Sequence, residues 1–194
     1  MSDERFGVVA AGFSGDTATA RAALVHDDGT VRASALRALA RAGDVAPHEL
    51  AAATGDPAAV VRRTAAELAA RMTGVEVAHM IDDTDVYVAE MAAWALGERP
   101  SPADHEIDAL VRASTQHGEP LVREAAAAAL GAIGDPRGLD AIIAACSDKP
   151  AVRRRAVLAL AHFDGPRVDE VLRAALDDRD WQVRQNAEDM LNPR

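Results

Sequence analysis

The chain has 194 residues, of which 49% are hydrophobic but only 3% aromatic, and its formal net charge is −10 at pH 7. Binding to nucleic-acid phosphates rests on clustered basic side chains, so this acidic composition argues against a nucleic-acid partner. No apolar run approaches the roughly 20 residues of a membrane-spanning helix, and the start of the chain lacks the basic segment of a secretory signal. We therefore expect a cytoplasmic protein with neither a membrane nor a nucleic acid among its partners.

The first segment, residues 1–15, matches nothing later in the chain. Its larger apolar side chains are Phe6, Val8, Val9 and Phe13. An array of repeats leaves an apolar face uncovered at each end, and such ends need a cover. We therefore expect these four side chains to fold over the exposed edge of the first helix pair, so that the segment forms an N-terminal cap on the residues that follow.

In residues 16–194, one nine-residue phrase, V-R-x-x-A-x-x-A-L, recurs six times with small variations. Its apolar positions at 0, +4, +7 and +8 share one side of an α-helix. The anchoring valines are spaced by 30, 27, 34, 30 and 31 residues; they are Val31, Val61, Val88, Val122, Val152 and Val183. A near-constant period of this length indicates stacked helical repeats rather than a globule with one core.

Each period has room for a second helix upstream of the phrase. Gly and Pro residues separate most units, as they do at helix ends and starts. The predicted upstream helices cover residues 17–25, 48–54, 75–81, 103–114, 138–146 and 167–176. Aspartates shortly before the phrases are predicted to cap the phrase helices; they are Asp28, Asp56, Asp83, Asp148 and Asp178 or Asp180.

With its preceding aspartate, the phrase D-x-x-V-R-x-x-A-x-x-A-L resembles the short HEAT-like repeat, also called the PBS-lyase type. The resemblance covers about residues 16–191. It implies an all-α, right-handed solenoid of six helix pairs whose second helices line the concave surface. We call the upstream helix of each repeat its A helix and the phrase helix its B helix. The resemblance is specific for the fold but not for a function, because such repeats serve many unrelated roles.

The arginine that follows the anchor has two interpretations. It recurs in five of the six repeats, and Ala89 takes its place in the third; the arginines are Arg32, Arg62, Arg123, Arg153 and Arg184. Five arginines in register suggest a ladder for an anionic ligand. Acidic residues near the same turn of each repeat favour the other interpretation, in which Arg–Asp pairs join successive repeats.

The outward face of the B helices is the candidate binding surface. At 100° per residue, positions +2, +5, +6 and +9 point away from the apolar stripe. In repeats three to five, positions +5, +6 and +9 are small or apolar and include Trp94 and Val157, while position +2 is charged. An exposed aromatic residue in such a groove is typical of a protein-binding site. We predict that a protein or peptide partner contacts Glu90, Trp94, Glu124, Arg154, Leu158 and His162. The opposing interpretation is that curvature buries these residues between neighbouring helices.

The motifs of catalysis and metal binding are missing from the sequence. There is no GxSxG, GxxxxGK[ST], HExxH or CxxC. Deoxyhypusine hydroxylase resembles this chain in its repeats and binds two irons through His-Glu pairs at positions +2 and +3. No B helix of this chain has a histidine at those positions, and its two His-Glu pairs, His48-Glu49 and His105-Glu106, precede the phrases. We expect no catalytic residue, no metal and no cofactor.

Taken together, these features favour a non-enzymatic scaffold that binds a protein or peptide on its concave face. Two alternatives remain open. The first, implied by the lyase-named relatives, is an accessory or lyase-type protein in bilin or tetrapyrrole attachment. The second is an enzyme whose site the motifs do not reveal. The sequence leaves the identity of the partner and the oligomeric state open.

Overall fold

The computed structural model describes residues 3–72 and 74–192. Twelve α-helices occupy these ranges, joined by short turns and 3-10 segments, and none of the described residues lies in a β-strand. The helices are α1 Asp3–Ser14, α2 Thr17–Ala22, α3 Gly29–Ala42, α4 Pro47–Ala53, α5 Ala59–Ala69, α6 Val86–Gly97, α7 Asp104–Gln116, α8 Pro120–Ile133, α9 Leu139–Ala145, α10 Pro150–Ala159, α11 Pro166–Ala175 and α12 Trp181–Leu191. The predicted all-α fold class is confirmed.

The chain forms two compact units, residues 1–95 and residues 96–194. In the first unit, α3 packs between α1 and α5, while the A helices α2 and α4 pack on their own B helices. In the second unit, α10 packs between α8 and α12, and α7, α9 and α11 pack on their B helices. Each unit is therefore a stack of helix pairs, the architecture of an α-solenoid.

The A helix of the third repeat is the irregular one. Where the sequence predicts a helix over residues 75–81, the structure has only a 3-10 segment, Ala78–Asp82. The interval between the second and third anchors is also the shortest, at 27 residues. A shorter repeat leaves room for a shorter first element.

In the described part of the chain, no helix is long and apolar enough to cross a lipid bilayer.

The apolar positions of the phrase form the core. All six anchoring valines are at most 2% exposed, and so are the leucines at +8 in repeats one, three, four and five. Burying one such side chain stabilises a fold by about 1.5–3 kcal/mol, so the recurring phrase supplies a comparable contribution in every repeat. The periodicity that identifies the repeats is thus the periodicity of their core.

Successive B helices approach closely through small residues. A Cβ atom added at Gly131 of α8 would lie 2.5 Å from Cβ of Ala159 in α10. The first unit repeats this contact between α1 and α3, where a Cβ atom at Gly12 would lie 2.7 Å from Cα of Ala38. Both alanines occupy position +7 of their phrases, so the small residue at this position in these two repeats reflects the helix spacing.

The helix α1 packs on α3, but not through the residues that we expected. Val8, Ala11 and Gly12 are buried, whereas Phe6 and Phe13 are 62% and 73% exposed. The expectation that both phenylalanines cover the first repeat is wrong. The close Gly12–Ala38 contact places small side chains in the interface, and the two rings stay largely exposed to solvent.

Most of the predicted capping aspartates do something else. Asp28 and Asp180 do cap α3 and α12, by accepting hydrogen bonds from the backbone N–H of Thr30 and Gln182. The remaining four, Asp56, Asp83, Asp148 and Asp178, accept a backbone N–H within the turn before the helix. Their carboxylates also receive an arginine from the preceding repeat, which the spacing within one repeat does not show.

Candidate partner-binding surface

The arginine at position +1 joins its repeat to the next one. In the first unit, Arg32 donates from Nε and Nη2 to the two carboxylate oxygens of Asp56, at 2.8 and 2.6 Å. Its Nη1 donates to the backbone carbonyls of His26 and Asp27 at 2.7 and 2.9 Å. One guanidinium therefore closes the turn of its own repeat and binds the turn of the next repeat with a two-point contact.

This geometry recurs three more times. Arg62 binds Asp83 within the first unit, and in the second unit Arg123 binds Asp148 and Arg153 binds Asp178. All eight guanidinium-to-carboxylate distances of the four pairs lie between 2.6 and 2.8 Å. The structural interpretation of the arginines is confirmed, because these four guanidinium groups are engaged within the protein rather than open to an anionic ligand.

The pairs shift the titration of the aspartates. The Arg32 guanidinium, bonded to the Asp56 carboxylate, holds the pKa of that carboxyl below its usual value despite partial burial. The same cause lowers the pKa of Asp83, Asp148 and Asp178. An opposite charge at hydrogen-bond distance favours the ionised form, and here it outweighs desolvation.

In repeats 1 and 4, a histidine stands where the other repeats have the aspartate that binds an arginine. The segment before each of these two repeats supplies no phrase arginine. Asp28 N–H donates to Nδ1 of His26, and Glu119 N–H donates to Nδ1 of His117, at 2.9 and 3.1 Å. Repeat 1 follows α1, which carries no phrase, and repeat 4 follows the phrase that has Ala89. Histidine and aspartate thus both close this turn by accepting a backbone N–H. Aspartate occurs in the repeats where the preceding repeat also supplies an arginine.

In the first unit, the structure leaves Trp94 accessible. Trp94 lies on α6 at position +6 and is 42% exposed, while Ala93 and Ala95 beside it are fully buried. Glu90, one turn earlier, is half-buried. Tyr87 at the start of α6 is 56% exposed and its ring lies 5.8 Å from the guanidinium carbon of Arg63. The outward side of α6 therefore presents two aromatic rings and a carboxylate.

In the second unit, Arg154, Leu158 and His162 follow one another at positions +2, +6 and +10. Leu158 is 44% exposed and His162 is exposed in the 3-10 segment after α10. Arg154 donates to Asp180, the capping residue of α12, with Nη2 2.5 Å from Oδ2. The bond to Arg154 lowers the pKa of Asp180 to about 2. This arginine is therefore held in place before any partner arrives.

Glu124 forms no ion pair with Arg154. The pKa of that arginine is raised mainly by Asp180, and the negative charge of Glu124 adds a smaller contribution. The Glu124 carboxylate lies 3.7 Å from Nε of the next arginine, Arg155, and the side chain is half-buried on α8. Sequence reasoning named Asp180 only as a helix cap, not as the partner of Arg154. It did not name Asn186, whose Nδ2 donates to the backbone carbonyl of Arg154 at 3.2 Å. Both sit about one period after Arg154, so the repeat spacing itself was a signal that could have identified them.

Position +5 does not belong to the surface. Its occupants in the first five repeats are all at most 1% exposed; they are Leu36, Ala66, Ala93, Ala127 and Val157. The expectation that Val157 lines the groove is wrong. A single helix projection treats position +5 as outward, but neighbouring helices cover it, as α8 and α12 do on either side of α10. Position +6 stays accessible, and the surface narrows to positions +2, +6 and +10.

The two His-Glu pairs have structural glutamates. Glu49 accepts from the backbone N–H of Ala46 at the start of α4 and from Nε of Arg21 at 2.6 Å. Glu106 accepts from the N–H of Ala103 at the start of α7 and forms a buried ion pair with Arg99. Each glutamate therefore satisfies an N–H group at a helix start that has no partner within the helix.

Cys146 is the single thiol of the chain and follows α9. Burial raises its pKa to about 12, so the thiol stays protonated at neutral pH. A thiolate is the nucleophilic form, and this environment disfavours it.

Comparison with known proteins agrees with this geometry. A family model described as HEAT repeats matches residues 75–151 and, in a second match, residues 107–192. The two matches together span more than half of the chain. The chain belongs to the HEAT-repeat family. The comparison of this HEAT-repeat protein with curated proteins gives no match.

Solved structures share the architecture at low sequence identity. Escherichia coli YibA is 18% identical, with a TM-score of 0.69, over 98% of this chain and 75% of that one. A designed armadillo repeat protein in complex with the peptide (KR)4 is 18% identical, with a TM-score of 0.63, over 91% and 97%. An engineered protein is 19% identical, with a TM-score of 0.62, over 98% of both chains. At these identities the likeness concerns the fold alone.

Proposed function

We propose that this HEAT-repeat protein is a non-enzymatic scaffold that binds a protein or peptide on the outward face of its B helices. The contact residues in the first unit are Glu90 and Trp94. In the second unit they are Glu124, Arg154, Leu158 and His162. The proposed binding needs no metal and no cofactor. We also propose that the protein is cytoplasmic.

The observation that carries the proposal is the exposure of Trp94. Its ring is 42% exposed on a helix whose neighbouring positions, Ala93 and Ala95, are closed to solvent. Soluble proteins seldom leave a tryptophan open on a regular helix without a use for it, and tryptophan is enriched among residues that dominate binding energy. Trp94 is thus placed to act as an anchor.

In the second unit, an exposed apolar side chain, Leu158, lies next to an arginine that is already held in place, Arg154. Leu158 is 44% exposed one turn after Arg154. The bond from Arg154 to Asp180 orders the arginine side chain before binding. Ordering a long side chain on docking costs about 0.5–1.5 kcal/mol, so a side chain that is already ordered favours recognition.

A structural neighbour provides an analogy. The designed armadillo repeat protein was solved with the peptide (KR)4, so a repeat protein of similar architecture binds a short peptide. The chemistry of the two surfaces is a separate matter, because the identity is only 18%.

We further propose that α1 is the cap of residues 16–194. It packs on α3 with the same close contact of small residues that joins α8 and α10. It thereby covers the apolar side of the first repeat.

The experiment is affinity purification from the native host with matched tryptophan variants. The wild-type protein, Trp94→Ala and Trp181→Ala are immobilised at equal density, and the captured proteins are compared quantitatively. Trp181 is 65% exposed at the start of α12, so its variant removes an even more accessible ring from a place outside the proposed site. We expect a partner that is depleted by Trp94→Ala and retained by Trp181→Ala. Equal capture by all three proteins contradicts the proposal.

A further inference from the structure

Three arginines of the first unit line one open cavity. The cavity has a volume of about 460 Å³ and lies between the C-terminal ends of α3 and α5. Arg37 and Arg41 come from α3, and Arg71 follows the end of α5. The other lining residues are Ala40, Val45, Glu67, Leu68 and Met72.

The cavity carries an excess of positive charge. Its one acid, Glu67, accepts from Nη2 of Arg37 at 2.8 Å in a solvent-exposed pair. Among the described residues, no carboxylate lies within ion-pair distance of Arg41 or Arg71. Three arginines and one glutamate give a local charge of +2 in a chain whose net charge is −10.

The use of the other arginines makes this excess stand out. In the same unit, Arg21, Arg32 and Arg62 each bind at least one carboxylate. The chain has 31 acidic residues against 21 basic ones, so carboxylates are the more available partner. Within the part of the chain that the structure describes, Arg63 of the same unit also lacks a carboxylate partner, but Arg41 and Arg71 line one cavity together. Their shared position in the cavity points to an anionic group from outside.

The walls of the cavity are partly apolar. Val45, Leu68 and Met72 are half-buried, and the ring of Phe13 lies 4.2 Å from the guanidinium carbon of Arg41. Phe13 itself is 73% exposed. A guanidinium stacked on a ring keeps its edge free for hydrogen bonds while its orientation is restrained. The site thus combines fixed positive charge with an apolar surface.

We propose that this cavity, defined by Arg37, Arg41 and Arg71, binds an acidic peptide segment of the partner that also carries an apolar side chain. The inference rests on the proposed function and specifies the partner's chemistry. Charge complementarity selects the occupant, since carboxylates match the two-point donor geometry of guanidinium groups. The apolar side chain would pack against Met72 and Leu68. Arg37, Glu67 and Trp94 share position +6, so the cavity belongs to the same face of the B helices.

Another role for these arginines is purely structural. Arg41 lies in the last turn of α3, where a positive charge stabilises the negative end of the helix dipole. This role predicts a loss of stability on substitution and no effect on a ligand. The two roles therefore separate when melting and binding are measured on the same variants.

The test is selection from a random dodecapeptide display library on the wild-type protein and two charge variants. The first variant is Arg41→Gln with Arg71→Gln. The matched control is Arg167→Gln with Arg173→Gln, which removes two exposed arginines from α11. The best-enriched peptide is then synthesised with a fluorescent label, and its binding to all three proteins is measured by anisotropy at low and high salt. An oligo-dT strand of equal charge and a peptide with lysines in place of the acids are measured alongside.

We expect enriched peptides to be acidic with at least one large apolar residue. Binding should weaken about tenfold or more in Arg41→Gln/Arg71→Gln and less than about twofold in the control. High salt should weaken the binding of the wild-type protein. Circular dichroism melting should differ little between the two variants. Four results overturn the inference: no enrichment; acidic enrichment that the variant does not reduce; tighter binding of oligo-dT; or enrichment of neutral or basic peptides. In the last case, loss of the selected peptide on Trp94→Ala leaves the proposed peptide-binding function standing and rejects only the acidic partner.

Discussion

Arg153 and Asp178 lie 25 residues apart in sequence and form a two-point ion pair, with Nε–Oδ2 and Nη2–Oδ1 distances of 2.8 and 2.7 Å. The same guanidinium donates to the backbone carbonyl of Asp148 at 2.8 Å. Arg153 is only 5% exposed, so water contributes little to its hydrogen bonding. The pair therefore connects the turn of repeat 5 with the turn of repeat 6.

The first prediction concerns this pair. Arg153→Ala leaves the Asp178 carboxylate without its partner and should lower the free energy of unfolding by about 1–3 kcal/mol. Arg184→Ala is the control, because Arg184 occupies the same phrase position and donates to the Asp178 carbonyl but binds no carboxylate among the described residues. Its cost should stay within about 0.5 kcal/mol. Urea unfolding checks both values, and equal losses would show that the carboxylate contact contributes nothing.

The second prediction is acid sensitivity. The folded protein lowers the pKa of Asp56, Asp83, Asp148 and Asp178 below the ordinary value of 3.8, chiefly through their arginine partners. Below that value the unfolded chain binds more protons than the folded one, so these pairs stabilise the fold above about pH 4–5 and lose their effect as the pH falls further. For Asp180, whose pKa lies at about 2, the loss extends down to that pH.

The measurement is the free energy of urea unfolding between about pH 7 and pH 3. Stability should decline mainly below about pH 5. In Arg153→Ala the decline should be shallower, since the pKa of Asp178 returns toward its ordinary value. If the free energy of unfolding of that variant falls with pH as steeply as in the wild type, the ion pair is not a source of the pH dependence.

The third prediction tests the close approach of the B helices. Within a helix, Gly→Ala normally stabilises by about 0.5–1 kcal/mol. At Gly131 the new Cβ would lie 2.5 Å from Cβ of Ala159, and α8 and α10 must move apart. We expect Gly131→Ala to destabilise by about 1–2 kcal/mol, because strain outweighs propensity.

Gly7 of α1 is the matched position, because nothing lies within 4 Å of a Cβ added there. Gly7→Ala should raise the melting temperature, while Gly131→Ala should lower it. Thermal unfolding followed by circular dichroism distinguishes the two. A rise for both would mean that α8 and α10 accommodate the methyl group without cost.

The repeat architecture was predictable because the residues that repeat are the buried ones. The anchor valine and the small residues around it have one periodicity in sequence and the same role in every core, so six copies reinforce one another. The shortened A helix Ala78–Asp82 was missed, since apolar residues over residues 75–81 do not distinguish an α-helix from a 3-10 segment.

The surface was less predictable because it depends on neighbouring helices. Val157 faces outward on an isolated helix and is buried once α8 and α12 pack beside α10. Arg–Asp pairs between repeats were expected, but Asp56 was also predicted to cap a helix, because a single repeat does not show its main partner, Arg32. The pair of Arg37 with Glu67 spans 30 residues, which is one period, and comparing equivalent positions of successive repeats would have revealed it.

The central claim is that Trp94 is an open anchor for a partner, and its own fluorescence tests this most directly. The chain has two tryptophans, so Trp181→Phe leaves Trp94 as the sole indole emitter. In the free protein, acrylamide should quench Trp94 strongly, as its 42% exposure requires. With the purified partner or a selected peptide at saturation, quenching should fall and the emission should shift to shorter wavelength. Quenching that is weak in the free protein, or unchanged on saturation, would contradict the claim.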